Sequence, residues 1–592
     1  MGQGDRRSDQ PARAEAMTAP VDAGHRSNVI AAEVFATALR RHGIDLVFGQ
    51  SIPTQIHLAA SACGIAQIAY RTEHAGAIMA DGYARIAGRI GVVTAQNGPA
   101  ATLLVAGLAE ALKASVPILA LVQDVPLPLL DRNAFQELDH LDLFRGCCKW
   151  VRRIHSPARV DDYVDMAITA ATSGRPGPAV LLCPLDVIGA PAAAGHAREA
   201  ALGGYPLDRT LADPARIAEV AALLAQAAHP IIVAGGGVHL SGAVAELCRV
   251  QDLGSLPVAT TAMGKGAVDE SHPLSLGVAG YFMGSGGMAK FMRPLIEEAD
   301  VILFVGARTN QNGTDSWTLF PKGARYIHLD IDPQEIGRNY EAVRLVGDAK
   351  LTLAALADAL EDQELSLRKK RRARLMERIA AARAAHRTEA APLLVSDARP
   401  IRPERLMGDL ARLLTPDAIV VADASYASIW VANYLPATAA GMRFLTPRGL
   451  AGLGWGLPLA LGAKLAAPER PVFCVVGDGG FAHAWSELET ARRHGVKVVV
   501  TVLNNQSLAY QKHAEDVLFG AHTSAVDLGP VDHAGIAKAC GLNGVRIERP
   551  ADYLPALERA IAAEHATVID VVVEPDAVPP VTAFEGRIGR RP

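Results

Sequence analysis

Pro471-Val472-Phe473-Cys474-Val475-Val476-Gly477-Asp478-Gly479-Gly480 is an apolar, β-branched run that stops at a glycine and passes into an acid and two further glycines. A run of this length and content reads as a buried strand. A second run, Lys497-Val498-Val499-Val500-Thr501-Val502-Leu503, ends the same way at Asn504-Asn505. Between them, Ala484 to Gly495 carries Leu488 and Ala491 at helical spacing and closes on Gly495, a helix stop. A right-handed crossover makes the two strands parallel, so Asp478 and Asn505 emerge at one carboxyl edge, where open α/β sheets bind ligands. One carboxylate and one amide oxygen suit Mg²⁺, which completes its octahedral oxygen shell with phosphate oxygens. Gly479 and Gly480 place no side chain between a phosphate and the backbone N–H groups. The plainer alternative is a tight turn followed by a loop cap.

The chain around this unit has 592 residues, 50% of them hydrophobic and 20% charged, which is ordinary for a globular protein of three or four domains. A net charge of −4 and a pI near 6.5 give no global basic field for nucleic acid or an anionic membrane. Cys63, Cys147, Cys148, Cys183, Cys248, Cys474 and Cys540 show no metal-ligand spacing and read as reduced thiols of a cytoplasmic protein. Residues 1–27 are polar with no apolar core and read as a disordered extension. No apolar stretch is long enough to span a bilayer.

Helical segments alternate with short apolar runs from 28 to 190, from 206 to 360 and from 400 to 575. This is the pattern of an α/β protein with three doubly wound parallel-sheet domains. Residues 361–399, with the basic stretch Leu367 to Thr388, read as a solvated linker helix, since no aromatics interleave with its arginines. Residues 576–592 form an irregular basic tail. The first and third units are of similar size.

The 27-residue separation of Asp478 and Asn505, with its flanking pattern, resembles the thiamine diphosphate motif, in which GDG is followed after about 25 or more residues by NN. By that resemblance Asp478, Asn505 and the Ser507 carbonyl hold Mg²⁺ on the diphosphate, with Gly479 and Gly480 beside it. The segment RTEHAGAIMADGYARIAGRIGVVTAQNGPAAT, beginning at Arg71, resembles the pyrimidine-binding domain of the acetohydroxyacid synthase, 2-hydroxyacyl-CoA lyase and oxalyl-CoA decarboxylase group. SGRPGPAVLLCPLDV (173–187) and AGLGWGLPLALGA (451–463) continue the likeness, which covers nearly all of 29–575 in the order pyrimidine-binding, central and diphosphate-binding domain.

Several roles follow from the resemblance. Glu73 becomes the acid that bonds N1′ of the aminopyrimidine, and partial burial would raise its pKa and help it share that proton. Without the resemblance, Glu73 could simply complement a helix N-terminus. Leu453 falls where the family places the apolar residue that bends the cofactor. One cofactor is held between two subunits, which implies a homodimer at least and makes a homotetramer plausible.

The substrate is less directly legible. Asn133-Ala134-Phe135-Gln136-Glu137 resembles the substrate loop of acetohydroxyacid synthases and turns Phe135 and Gln136 toward the cofactor. Those synthases carry a tryptophan nine residues after the metal-binding asparagine; Ala514 stands there, which predicts a more open pocket. Leu138 to Lys149 is similar to a stretch of 2-hydroxyacyl-CoA lyases. Glu487 could accept a substrate hydroxyl proton, or be a helix carboxylate. Asn97 could hydrogen-bond a substrate carbonyl, or cap a turn. For a CoA thioester, Arg308 and the tail's Arg587, Arg590 and Arg591 are candidate phosphate contacts, with the tail as a lid. These features favour a lyase cleaving a 2-hydroxyacyl-CoA to formyl-CoA and an aldehyde or ketone. The alternatives are an acetolactate synthase-like carboligase or decarboxylase of 2-oxo acids, and a non-catalytic regulatory homologue. FAD is not expected, because Ala307-Arg308-Thr309-Asn310 departs from the synthases' pattern.

Overall fold

In the computed structural model, which describes residues 29–192 and 198–585, three six-stranded sheets follow one another along the chain. All strand pairs within them are parallel. The expected fold class is therefore the one observed. Numbered within each sheet, the first and third have the same strand order, 2-1-3-4-6-5, and the middle one has the order 3-2-1-4-5-6. The likeness in size of the first and third units is thus a likeness of topology.

The strands are nearly continuous apolar runs because helices cover both faces of each sheet. Val472–Gly477, Val499–Asn504 and Ala179–Pro184 are buried along almost their whole length. The strand before Glu73 is short, Ala66–Ile68, and the helix after it starts at Glu73 itself. Between the two diphosphate-site strands, Asp478 opens a short helix, Asp478–Ala482, ahead of the one at Glu487–Arg493. The helix expected over 484–495 is thus present in shorter form, preceded by an additional helical turn.

The basic stretch forms one helix, Ser366–Leu394, and is not simply solvated. Arg368 is buried, and its guanidinium donates to the carbonyls of Ala227, Ala228, Gly254 and Ser255, where two central-domain helices end. A cation at a helix C-terminus meets the negative end of the macrodipole and the unpaired carbonyls together. Arg378 adds a two-pronged pair with Glu298, both contacts 2.8 Å. These arginines fasten the helix to the central domain.

The first and third domains meet along the helices Glu73–Ala87 and Gly456–Ala466. Their crossing is close because glycines occupy the contact. A Cβ on Gly82 would run into the Leu459 carbonyl oxygen, and one on Gly462 into that of Met79. The helix bearing Glu73 is in this way laid directly on the helix that follows Leu453. All seven cysteines are free thiols. Among the described residues no helix is long and apolar enough to cross a membrane. The expected extension at 1–27 lies outside the described residues.

Replacing Gly462 by valine should force the two helices apart. We expect a loss of about 1–3 kcal/mol, the usual penalty of overpacking a tight contact, read as an earlier urea unfolding midpoint. Substitution of the exposed Ala380 on the linker helix serves as control and should leave the midpoint in place.

Candidate active site

Three neighbouring strands of the third sheet end in polar residues at the same edge. Ile419–Ala422 runs into Asp423, Val472–Gly477 into Asp478, and Val499–Asn504 into Asn505. The first two strands flank the point where the strand order reverses, the place where doubly wound sheets leave a crevice. A cavity of about 1390 Å³, counted to its open mouth, lies there and is lined by Asp423, Leu453, Asp478, Gly479, Asn505 and Ser507 among others.

Asp478 is buried, and its carboxylate is oriented by two backbone donors, Gly479 N–H (2.9 Å) and Gln506 N–H (2.7 Å). No cationic side chain among the described residues lies within ion-pair distance of it. Burial pushes its pKa up to about 6. Such a carboxylate lacks positive charge, and a divalent cation would supply it. Asn505 accepts from the Ser507 N–H (3.2 Å) across Gln506, which takes a left-handed conformation with φ of 54°. The Ser507 hydroxyl is buried without a partner. Among the described residues no cluster of three His, Cys, Asp or Glu could hold a metal. A cation here would therefore rely on one carboxylate, amide or backbone oxygens, and oxygens of a bound phosphate, a donor set suited to Mg²⁺.

Asp423 was not singled out from the sequence. Its buried carboxylate accepts from the N–H groups of Gly454 (2.9 Å), Trp455 (3.1 Å) and Gly456 (3.1 Å), the first unpaired donors of the helix Gly456–Ala466. A Cβ on Gly480 would strike this carboxylate, so Gly480 serves close packing as well as backbone access. The available signal was the run Ile419-Val420-Val421-Ala422 ending in an acid, the same punctuation as at Asp478.

Glu73 opens its helix half-buried, and burial raises its pKa. It does not line the cavity that holds Asp478, and neither do Asn97, Phe135, Gln136 or Glu487. Glu487 was read either as an acceptor of a substrate hydroxyl proton or as a helix carboxylate. It is wholly buried, and its carboxylate accepts from the N–H groups of Arg71 (3.2 Å) and Thr72 (3.1 Å) and from the Thr490 hydroxyl (2.8 Å). Burial raises its pKa while these donors lower it. It thus grips the backbone immediately before Glu73. The Asn97 amide, read as meeting a substrate carbonyl or capping a turn, donates to the carbonyls of Phe135 (3.2 Å) and Gln136 (3.1 Å) and so holds their loop. Gln136 is left-handed, with φ of 60°, and its side chain accepts from Gln96 (2.7 Å). Phe135 is 83% exposed in this single chain.

Comparison with known proteins agrees with this layout region by region. Residues 30–143 match the N-terminal TPP binding domain of thiamine pyrophosphate enzymes, 217–356 the central domain, and 423–571 the C-terminal TPP binding domain. A probable acetolactate synthase large subunit from Methanocaldococcus jannaschii is 34% identical across 94% of both chains. The chain belongs to the thiamine pyrophosphate enzyme family. An acetolactate synthase from Arthrospira platensis is 32% identical over 91% of this chain and 93% of that protein. The large subunit of acetolactate synthase isozyme 2 from Escherichia coli is 30% identical over 91% and 94%. The protein is accordingly a thiamine pyrophosphate (thiamine diphosphate)-dependent enzyme.

Within this enzyme the remaining expected residues fall in different places. Ala514, where a more open pocket was expected, does not line the cavity of Asp478, whose nearby wall is aromatic. Tyr510 lies 5.7 Å from Tyr426 and 5.2 Å from Phe584, and the Tyr426 hydroxyl meets His513 Nδ1 at 2.5 Å. Ala514 packs against the core that contains them. Phe584 comes from the tail, which is docked as far as Glu585 through its bonds to Ser285 and Lys290. Arg587, Arg590 and Arg591 lie outside the described residues. Arg308 lines a second cavity of about 1180 Å³ at the strand-order reversal of the central sheet, also lined by Arg175 of the first domain and bordering the Asp478 cavity at Asn312 and Arg448. Burial, and then Arg175, lower its pKa. The structure does not bring Arg308 to Asp478.

Asp423→Ala should leave three backbone amides without an acceptor. We expect a stability loss of about 1–3 kcal/mol and weaker thiamine diphosphate binding, because the Leu453 loop loses its anchor. Asp423→Asn, which keeps one carbonyl oxygen, should lose less in both urea unfolding and calorimetric titration with the cofactor.

Proposed function

We propose that this enzyme is a carboligase of 2-oxo acids, like the acetolactate synthases it resembles, built on a homodimer in which each site combines Glu73 of one subunit with Asp478 and Asn505 of the other. The observation that carries the composite site is the separation of Glu73 from the Asp478 cavity within one chain. The exposed Phe135 beside Gln136 is a large apolar surface of the kind a second subunit covers. Bound thiamine diphosphate supplies an electron sink for a carbanion next to a carbonyl carbon.

In this reading Asp478, Asn505 and the Ser507 carbonyl hold Mg²⁺ on the diphosphate, Gly479 and Gly480 give it access to backbone N–H groups, and Leu453 supports the bent cofactor. Glu73 holds the proton at N1′, and its raised pKa suits sharing that proton. Gln136 and Phe135 face the substrate from the loop that Asn97 fixes, while Glu487 and Asn97 position rather than react. The 2-hydroxyacyl-CoA lyase reading takes second place. None of the relatives named above is such a lyase, and Arg308 stands apart from the cavity of Asp478. Ala514 departs from the synthases' tryptophan-bearing pattern, which points to a different acceptor preference.

Purified protein with thiamine diphosphate, Mg²⁺ and pyruvate should release CO₂ and form a 2-hydroxy-2-methyl-3-oxo acid detectable by mass spectrometry. Formyl-CoA from a 2-hydroxyacyl-CoA, with no product from pyruvate, would reverse the ranking. EDTA should abolish cofactor binding and Mg²⁺ restore it. Glu73→Gln should bind the cofactor but lose activity by about 10²-fold or more. Co-expression of Glu73→Gln with Asp478→Ala should recover about a quarter of wild-type activity, since half the dimers are mixed and each holds one intact site. No recovery in verified mixed dimers would sink the composite arrangement.

A further inference from the structure

The cavity of Asp478 is an acidic place, with Asp423 and Asp478 in its floor and Glu574 at its wall. Among its lining residues Arg448 is the sole cation. No carboxylate among the described residues lies within ion-pair distance of that guanidinium. Its Nε is buried without an acceptor. One terminal nitrogen donates to the Ser428 hydroxyl, and the other reaches the Tyr281 hydroxyl only at 3.5 Å. The charge has instead been given aromatic faces, with its central carbon 5.0 Å from the Phe282 ring and 5.9 Å from the Tyr281 ring. Those contacts hold the side chain without neutralising it.

The backbone beside Arg448 is also fixed. Glu110, buried in the first domain, accepts from the N–H groups of Gly449 (2.7 Å) and Leu450 (2.5 Å). The loop from Arg448 to Gly456 is therefore gripped by Glu110 at one end and Asp423 at the other. A cation stationed in this way, with one terminal nitrogen held only at 3.5 Å and no counter-ion among the described residues, is suited to an anion that arrives from outside. A planar carboxylate matches the guanidinium's paired N–H geometry.

We infer that Arg448 is a carboxylate-binding, specificity-determining residue, which receives the carboxylate of a 2-oxo acid in the cavity of Asp478. The inference rests on the proposed function for the identity of the substrate, but the site can be tested without turnover. Oxamate, an unreactive 2-oxo acid analogue, is titrated by calorimetry into the holoenzyme and into Arg448→Gln and Arg448→Lys, with thiamine diphosphate affinity and thermal unfolding measured alongside. Arg448→Gln should weaken oxamate binding about 10- to 100-fold and raise KM for pyruvate by a similar factor, with kcat within about threefold and cofactor affinity unchanged. Arg448→Lys, which keeps the charge but not the fork, should fall between. Methyl pyruvate, which has no carboxylate, should be indifferent to both changes. Equal oxamate binding by wild type and Arg448→Gln, no binding by the wild type, or an equal loss for methyl pyruvate would overturn the inference. So would a fall in cofactor affinity in place of oxamate affinity. Should oxamate binding depend on Arg448 while no 2-oxo acid is turned over, the carboxylate site stands and the proposed reaction falls.

Discussion

The close crossing of the helices Glu73–Ala87 and Gly456–Ala466 is the contact on which the rest of the molecule depends. Gly82 and Gly462 let each helix backbone approach the other to a distance that any side chain would prevent. The energetic return is continuous apolar burial. Residues of the first domain such as Ile78 and Met79 share one core with Leu457, Leu459 and Leu461 of the third. Because one helix begins at Glu73 and the other follows the loop of Leu453, the crossing also fixes where these two stand within one chain. Packing and site geometry are set together here.

Around that crossing, Asp81 pairs with Arg85, while three other buried acids hold backbone. Asp423 takes three amides before the Gly456 helix, Glu110 takes two beyond Arg448, and Glu487 takes two before Glu73. A desolvated carboxylate is costly unless its lone pairs are filled, and backbone N–H groups fill them without adding mobile side chains. The result is a set of loops whose positions are decided before any ligand arrives. Such loops spend little of a ligand's binding energy on their own ordering.

The sequence was most legible where local punctuation carried the meaning. An apolar run ended by Asp478 and another ended before Asn505 were enough to place both at one sheet edge, because parallel topology leaves little choice. Asp423 bears the same mark and could have been read by the same rule. Glu110 could not, since a glutamate in a helix shows nothing of the distant loop it caps. Glu487 and Asn97 were recognised as notable, yet their partners lie 416 and 38 residues away, so their employment as clamps became visible only in three dimensions. Ala514 misled for a related reason. A small residue predicts open space only where it faces a cavity, and Ala514 packs against a core instead.

Glu487 shows how the two halves of one chain remain linked even if they serve different sites. It lies on the helix that follows the Asp478 turn, while its hydrogen bonds end on Arg71 and Thr72, one residue from Glu73. Under the composite arrangement, Glu73 acts on the cofactor held by the partner, whereas Asp478 holds this chain's own. A displacement of the Asp478 turn would then be carried through Glu487 to the N-terminus of the Glu73 helix. The path is short and made of buried hydrogen bonds, and the glycine crossing behind it allows little relaxation. Under that arrangement Glu487 would join the diphosphate end of one site to the acid of the other.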